Sequence, residues 1–248
     1  MKEGVDMRIN LFFILLFFCF ASLAQTPSIL VYHEYGDGWG GAVIEAIEQL
    51  WPECTPAAFV GLDEQQDFND ALGSGEWDII ILECWQAPND DLDWLEVRNR
   101  YIQDRSEVFV YNWFFWGSSG AQFTLYQAMG ILDVAPSTYN TLIEIWDPDH
   151  PITQGISNWE LYGIHPGSGS MIIRRIEMFY DDDVHAIAGW VEEWGGGICV
   201  AEDGESVVSG YCPAYAYEGV AIWMNILEFL YKGSPLQNAT WGAIKAAW

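Results

Sequence analysis

The sequence predicts a doubly wound α/β fold: a mostly parallel sheet with helices on both faces and extra antiparallel strands in the C-terminal half. Three observations predict it. Between residues 28 and 113, four short apolar runs alternate with stretches of helical periodicity. The third run, 77–83, is apolar on both faces, as a central parallel strand is. Hydrophobic residues make up 51% and aromatic residues 16% of the 248, which is enough apolar surface for a folded core.

The first half contains four strand–helix units. We predict strands at residues 28–35, 57–62, 77–83 and 107–113. The intervening helices show apolar residues at three- and four-residue spacing. A Trp-Pro pair (51–52) ends the first helix and a Gly-Ser-Gly run (73–75) ends the second. Right-handed crossovers between such units produce a parallel sheet.

The second half is punctuated by prolines and consists of shorter elements. After a helix at 122–129, we predict strands at 159–165, 171–177, 185–191, 198–202 and 205–211. The last two strands form a hairpin that turns at Asp203-Gly204, a dipeptide typical of tight turns. A final helix at 218–232 is followed by Gly233, which is the residue type expected just after a helix.

The N-terminus has the features of a secretory signal. Lys2 and Arg8 precede an apolar run at 11–20, and Ser22 and Ala24 stand where signal peptidase prefers small residues. The run is shorter than the roughly 20 residues that span a membrane, so we expect no transmembrane segment after cleavage. The prediction is a secreted or periplasmic protein. Its parts are a signal peptide (1–24), a mature domain (25–232) and a C-terminal tail (233–248).

The charge is strongly and unevenly negative. Asp and Glu number 36 against 9 Lys and Arg, for a net charge of −27. Between residues 28 and 97 there are sixteen acids and no Lys or Arg. This excludes nucleic acid as a partner, because phosphate contacts require clustered basic residues. Self-repulsion of this size requires salt, a bound cation or a basic partner, and the pattern is typical of a solvated acidic surface.

Four cysteines remain after cleavage of the leader: Cys54, Cys84, Cys199 and Cys212. An even number in an exported chain permits two disulfides, in any of three pairings. A Cys199–Cys212 bond would join neighbouring strands, and a Cys54–Cys84 bond would join the ends of early elements. No cysteine or histidine spacing indicates zinc, and the acidic runs at 147–149 and 181–183 lack EF-hand spacing, so no metal site is predicted.

The candidate site lies where the parallel strands end, because open α/β sheets bind ligands beyond the carboxyl ends of their strands. The catalytic candidates are His33, Glu34 and Glu83; the ligand-binding candidates are Asp37, Trp39, Trp85, Asn112, Trp113 and Trp116. A Glu34/Glu83 pair with His33 could perform general acid–base work or hold a divalent cation. The alternative is that these are ordinary polar strand ends. No cofactor is expected, because the glycine-rich stretch 36–41 has no Gly-x-Gly-x-x-Gly pattern or lysine and is acidic.

Several segments resemble the class I glutamine amidotransferase-like superfamily, whose domains are flavodoxin-like. They are DFNDALGSGEWDIIILE (67–83), DPDHPITQGI (147–156), GESVVSGY (204–211) and GVAIWMNILEFL (219–230). Within the superfamily they are similar to the extracellular branch related to trehalose-utilisation (ThuA-like) proteins. The resemblance covers nearly all of residues 28–232.

The resemblance implies a Cys nucleophile in a tight Gly-x-Cys-x-Gly turn after a central strand, with a later His-x-Glu pair. Here the corresponding segment, 110–117, contains no Cys, and Gly167 stands where the Glu would follow His165. Cys84 comes one element too early. We therefore expect the amidotransferase chemistry to be absent.

Two functions remain open at this point. The first is a non-catalytic binding or structural module for a glycan, a cation or a protein, with indoles from the strand-end loops stacking on a sugar. The second is a ThuA-like sugar-processing or hydrolytic enzyme that uses His33, Glu34 and Glu83. The sequence has no recognisable triad, zinc set or cofactor loop, which favours the module. It leaves the oligomeric state open.

Overall fold

The computed structural model describes residues 26–34, 41–84, 91–104, 106–112, 120–137, 142–157, 159–161, 175–190 and 195–233. The strands are β1 Ile29–His33, β2 Ala57–Val60, β3 Ile79–Cys84, β4 Glu107–Asn112, β5 Ile131–Ser137, β6 Glu144–Ile145, β7 Arg175–Tyr180, β8 His185–Gly189, β9 Gly196–Val200 and β10 Val207–Ser209. The helices are α1 Gly41–Leu50, α2 Gln65–Ser74, α3 Trp94–Asn99 with a π turn at Arg100–Asp104, α4 Ala121–Ala128 and α5 Gly219–Gly233. Short 3₁₀ turns lie at Leu62–Glu64 and Pro213–Tyr215.

The strands form one sheet of mixed direction whose first half is parallel. Its order is β2-β1-β3-β4-β10, with parallel pairing throughout this half. This is the 2-1-3-4-5 order of flavodoxin-type folds. The four predicted early strands are all present, and the predicted fold class is confirmed.

Helices cover both faces of the parallel half. The chain moves from β1 to β2 in one direction and from β2 through β3 to β4 in the other, so right-handed crossovers place α1 on one face and α2 and α3 on the opposite face. The packing agrees, since α1 contacts α5 and α3 contacts α4. On the first face, the Trp223 ring of α5 lies 4.5 Å from that of Phe109 on β4, and both side chains are fully buried.

The second half of the sheet is antiparallel. The predicted hairpin is present as β9 and β10, and it turns at Gly204 with a φ of 75°, a conformation that glycine adopts at no steric cost. The predicted strand at 159–165 is wrong in its described part, where Glu160 and Leu161 form only isolated bridges. The strand β5 was not predicted because it contains Pro136. It lies at the edge of the sheet, where a proline is tolerated.

The four described cysteines are free thiols, so neither of the two disulfides that the sequence permits is present. The order of the strands in the sheet explains why Cys199 and Cys212 do not form a disulfide. Cys199 lies on β9, whereas the Cys212 thiol bonds Glu83 of β3, which is three strands away from β9 in the sheet, or about 14 Å at 4.8 Å per strand. A disulfide needs Cα atoms within about 7 Å.

The second pair is separated by the sheet itself. Cys54 precedes β2 at the amino edge, whereas Cys84 ends β3 at the carboxyl edge. The strand β1 lies between β2 and β3. Cys54 instead donates its S–H to the carbonyl oxygen of Pro27, at 3.4 Å.

The described helices contain none that is long and apolar enough to cross a bilayer. The predicted signal peptide (1–24) and all but the first residue of the predicted tail (233–248) lie outside the described residues.

Two glycines allow a matched test of the packing between the halves of the sheet. A Cβ on Gly210, just after β10, would come within 1.9 Å of the Ile176 carbonyl oxygen, whereas a Cβ on Gly73 in α2 would meet nothing within 4 Å. We expect Gly210→Ala to lower the free energy of unfolding by at least about 2 kcal/mol, and Gly73→Ala to raise it by about 0.5 kcal/mol. Chemical denaturation measures both. Equal effects would contradict the close approach of β10 to β7.

Candidate functional site

A row of polar side chains crosses the carboxyl edge of the parallel sheet. His33 of β1 pairs in register with Glu83 of β3, Glu83 with Tyr111 of β4, and Tyr111 with Ser209 of β10. Register partners in a parallel sheet point to the same face. Phe109 lies two residues before Tyr111 and contacts α5, so the whole row faces α1 and α5.

The row includes the point at which the strand order reverses. The chain leaves β1 towards β2 on one side and returns to β3 on the other. The crevice beyond the carboxyl ends of such a pair is the usual ligand site of an open α/β sheet. His33 and Glu83 stand at this position.

His33 and Glu83 form a buried hydrogen-bonded pair. The His33 Nδ1 atom lies 2.9 Å from Glu83 Oε2, and the two side chains are 4% and 1% exposed. Because the carboxylate only accepts, Nδ1 carries the hydrogen. The other ring nitrogen, Nε2, is buried and has no hydrogen-bond partner among the described residues.

The second oxygen of Glu83 bonds a thiol. Cys212 precedes the Pro213–Tyr215 turn and donates its S–H to Glu83 Oε1, at 2.7 Å. Burial and then the neighbouring Glu83 raise the pKa of the thiol well above its usual value, although the backbone N–H groups of Ala214 and Tyr215 act in the opposite direction. The thiol therefore stays protonated at neutral pH.

The order of the three groups determines what they can do. In a cysteine hydrolase the imidazole takes the thiol proton and a carboxylate orients the imidazole. Here the carboxylate lies in the middle, between Cys212 and His33. The thiol thus faces a group that favours its protonated form, and the imidazole is held with Nε2 directed away from the carboxylate.

Glu34 and Cys84 belong to a different environment. Cys84 follows Glu83 on β3 and so faces the opposite side of the sheet, with Tyr32. Burial and then the charge of Glu34 raise the pKa of the Cys84 thiol. Glu34 is itself buried, and its backbone N–H donates to the Glu83 carbonyl oxygen at 3.1 Å.

The remaining predicted site residues are described only in part. Asn112 ends β4, in register with Cys84. Asp37, Trp39, Trp85, Trp113 and Trp116 lie outside the described residues, as do His165 and Gly167. Within the described ranges, no group of three or more His, Cys, Asp or Glu side chains is suited to hold a metal ion.

Cys212 is the member of the site that sequence reasoning missed. It lies 129 residues after Glu83, and it was considered only as half of a disulfide. The available signal was its place directly after the last predicted strand. That signal becomes informative only once this strand, β10, is known to lie beside β4.

Neither a scan against protein-family models nor a search of curated proteins finds a match to this chain.

Proposed function

We propose that the protein is an exported, non-catalytic binding module of amidotransferase-like architecture. The observation that supports this most directly is that Glu83 accepts hydrogen bonds from both His33 and Cys212. Ionising the thiol would place two negative charges side by side in a buried environment, which is strongly unfavourable. A nucleophile in this position is suppressed, while the geometry of the imidazole is retained.

The proposed ligand is a glycan bound in the crevice beyond β1 and β3. An imidazole that carries its only hydrogen on Nδ1 has a lone pair on Nε2 that can accept a hydrogen bond from a sugar hydroxyl. Trp39, Trp85, Trp113 and Trp116 follow β1, β3 and β4 in the sequence. Indole side chains suit the apolar faces of sugar rings.

The test compares two histidine variants on a glycan array and then by calorimetry on the glycan that binds. His33→Gln is expected to weaken binding about tenfold, the value of one good hydrogen bond. The matched control is His185→Gln. His185 begins β8, its side chain is 53% exposed, and its Nε2 atom lies 3.2 Å from Asp147 Oδ2. Equal binding by the two variants, or no bound glycan at all, would contradict the proposal.

A second function is favoured by the His33–Glu83 hydrogen bond. A carboxylate that orients an imidazole whose Nε2 has no described partner is also the arrangement of a general base, as a ThuA-like sugar-processing or hydrolytic enzyme would need. Glycoside and ester panels separate the two functions. Turnover that is lost in His33→Gln and Glu83→Gln but kept in Cys212→Ala would establish the enzyme in place of the module.

The same panel tests the amidotransferase reaction. We expect no glutaminase activity in the wild-type protein. Activity that disappears in Cys212→Ala would show that the thiol can be activated despite its contact with Glu83.

A further inference from the structure

A cavity of about 450 Å³ lies at the opposite edge of the sheet from His33. It is bounded by the start of β4, the turn between β9 and β10, the π turn after α3 and the end of α4. The residues that line it are Tyr101, Ile102, Ser106, Glu107, Ala128, Glu202, Asp203 and Glu205. Its volume is in the usual range for sites that bind small molecules.

The described residues that line the cavity are rich in acidic groups. Its lining contains Glu107, Glu202, Asp203 and Glu205, and no Lys, Arg or His among the residues the structure describes. The turn uses one of these carboxylates, since Asp203 Oδ1 accepts the backbone N–H groups of Glu205 and Ser206. In the described part of the chain, no backbone N–H donates to the other three carboxylates, and Glu107 accepts only the Ser206 hydroxyl.

Glu107 is the buried member of the group. It is 3% exposed, and no described N–H group or hydroxyl donates to its Oε1 atom, although the Glu205 carboxyl lies within hydrogen-bonding range of the Glu107 carboxyl. Its Oε2 atom has only a long contact, 3.4 Å, with the Ser206 hydroxyl. Burial and then the facing carboxyl of Glu205 raise the pKa of Glu107 to about 9. Two acceptors that face each other need either a proton or a cation between them.

The form of the cavity favours an organic cation over a metal ion. No three acidic, cysteine or histidine side chains among the described residues converge closely enough to hold a metal. The carboxylates are instead spread around a volume much larger than a metal ion, beside the apolar surfaces of Tyr101, Ile102 and Ala128. An alkyl chain can lie on those surfaces while its charged end meets the carboxylates.

We propose that this cavity binds a small aliphatic amine, a diamine or polyamine, with one ammonium group between Glu107 and Glu205 and its carbon chain along Tyr101 and Ile102. An ammonium group has three hydrogens to donate, so it can take the place of the single proton between the two carboxyls. This site is independent of the glycan crevice, because it lies at the amino edge of the sheet.

Calorimetry with spermidine and 1,5-diaminopentane tests the proposal, with Mg²⁺ as the comparison cation. The titrations are run at pH 7.5 in 150 mM salt, where the Debye length of about 8 Å limits diffuse attraction to the net charge. We expect one saturable site for an amine, and affinity at least tenfold lower in Glu107→Gln and in Glu205→Gln. Glu48→Gln removes the same charge from an exposed position on α1 and should leave the affinity unchanged.

Proton release provides a second readout. Binding of an ammonium group ionises Glu107, so the wild-type protein should release close to one proton per amine bound at pH 7.5, measured in buffers of different ionisation enthalpy. Glu107→Gln should release none. Equal amine affinity in Glu107→Gln and Glu48→Gln, absence of a saturable site, or tighter binding of Mg²⁺ that depends on Glu107 would each overturn the proposal. Thermal unfolding of every variant confirms that it is folded.

Discussion

Glu83→Ala is expected to lower the free energy of unfolding by about 3 kcal/mol. The substitution leaves the buried N–H of His33 and S–H of Cys212 without an acceptor, at about 1–3 kcal/mol for each unsatisfied group. It also opens a small cavity. Relief of the cost of burying a carboxylate offsets part of this loss, so the net effect is smaller than the sum. Urea denaturation with an unchanged m-value measures it.

Two further variants identify the cause of that loss. Glu48→Ala removes an exposed acid from α1 and should change stability by no more than about 0.5 kcal/mol. Cys212→Ala removes only one of the two donors, so it should cost less than Glu83→Ala. The double variant should be less destabilised than the sum of the two single variants, because the groups share one hydrogen bond. A Glu83→Ala protein as stable as Glu48→Ala would show that the contacts contribute nothing.

The second large effect is a dependence of stability on pH that originates at Glu107. Its pKa is about 9 in the folded protein, against 4.5 ordinarily. The folded state therefore binds the proton more tightly than the unfolded chain does. The contribution of Glu107 to the free energy of unfolding is fully present below about pH 4.5 and is lost as the pH rises to about 9. The groups that face Glu107 are Tyr101 of the π turn and Glu202, Asp203 and Glu205 of the β9–β10 turn.

The comparison with Glu107→Gln isolates this contribution from the other titrating acids. The variant should match the wild type near pH 4.5 and become progressively more stable than it up to pH 9. The difference there should be on the order of 6 kcal/mol, at 1.36 kcal/mol per unit of pKa shift. Denaturation at five or six pH values measures the two curves. For Glu48→Gln we expect a curve parallel to that of the wild type; parallel curves for Glu107→Gln would contradict the raised pKa.

The sequence predicts half of the candidate site because His33 and Glu83 each end an apolar strand. Polar residues at the ends of neighbouring parallel strands must meet at one edge of the sheet. The same reasoning placed Glu34 beside Glu83. Side chains alternate between the two faces along a strand, so the two carboxylates lie on opposite faces of the sheet. The Glu34 charge raises the pKa of Cys84 and of Tyr32, which lie on the α2 face. The position of a residue at the end of a strand predicts which edge of the sheet it occupies. The alternation of side chains along the strand decides which face of the sheet it points to.

The acidic cavity could not be predicted. Glu107 begins β4. Its carboxyl contacts the hydroxyl of Ser206, which lies 99 residues later in the chain. The sequence shows Glu202, Asp203 and Glu205 only as polar residues of a hairpin turn. Their approach to Glu107 depends on β10 pairing with β4, which is distant in the chain, as well as with its neighbour β9.

The order of elements in the parallel half was determined by the sequence itself, because strands buried on both faces leave unbroken apolar runs that neighbouring helices interrupt. Long-range contacts have no such local signature. The tertiary structure alone decided that the four described thiols stay apart, that Cys212 meets Glu83, and that a carboxylate rather than an imidazole accepts the hydrogen bond of the Cys212 thiol. The physical reason is that strand register and strand order, which set these distances, arise from packing between segments more than a hundred residues apart.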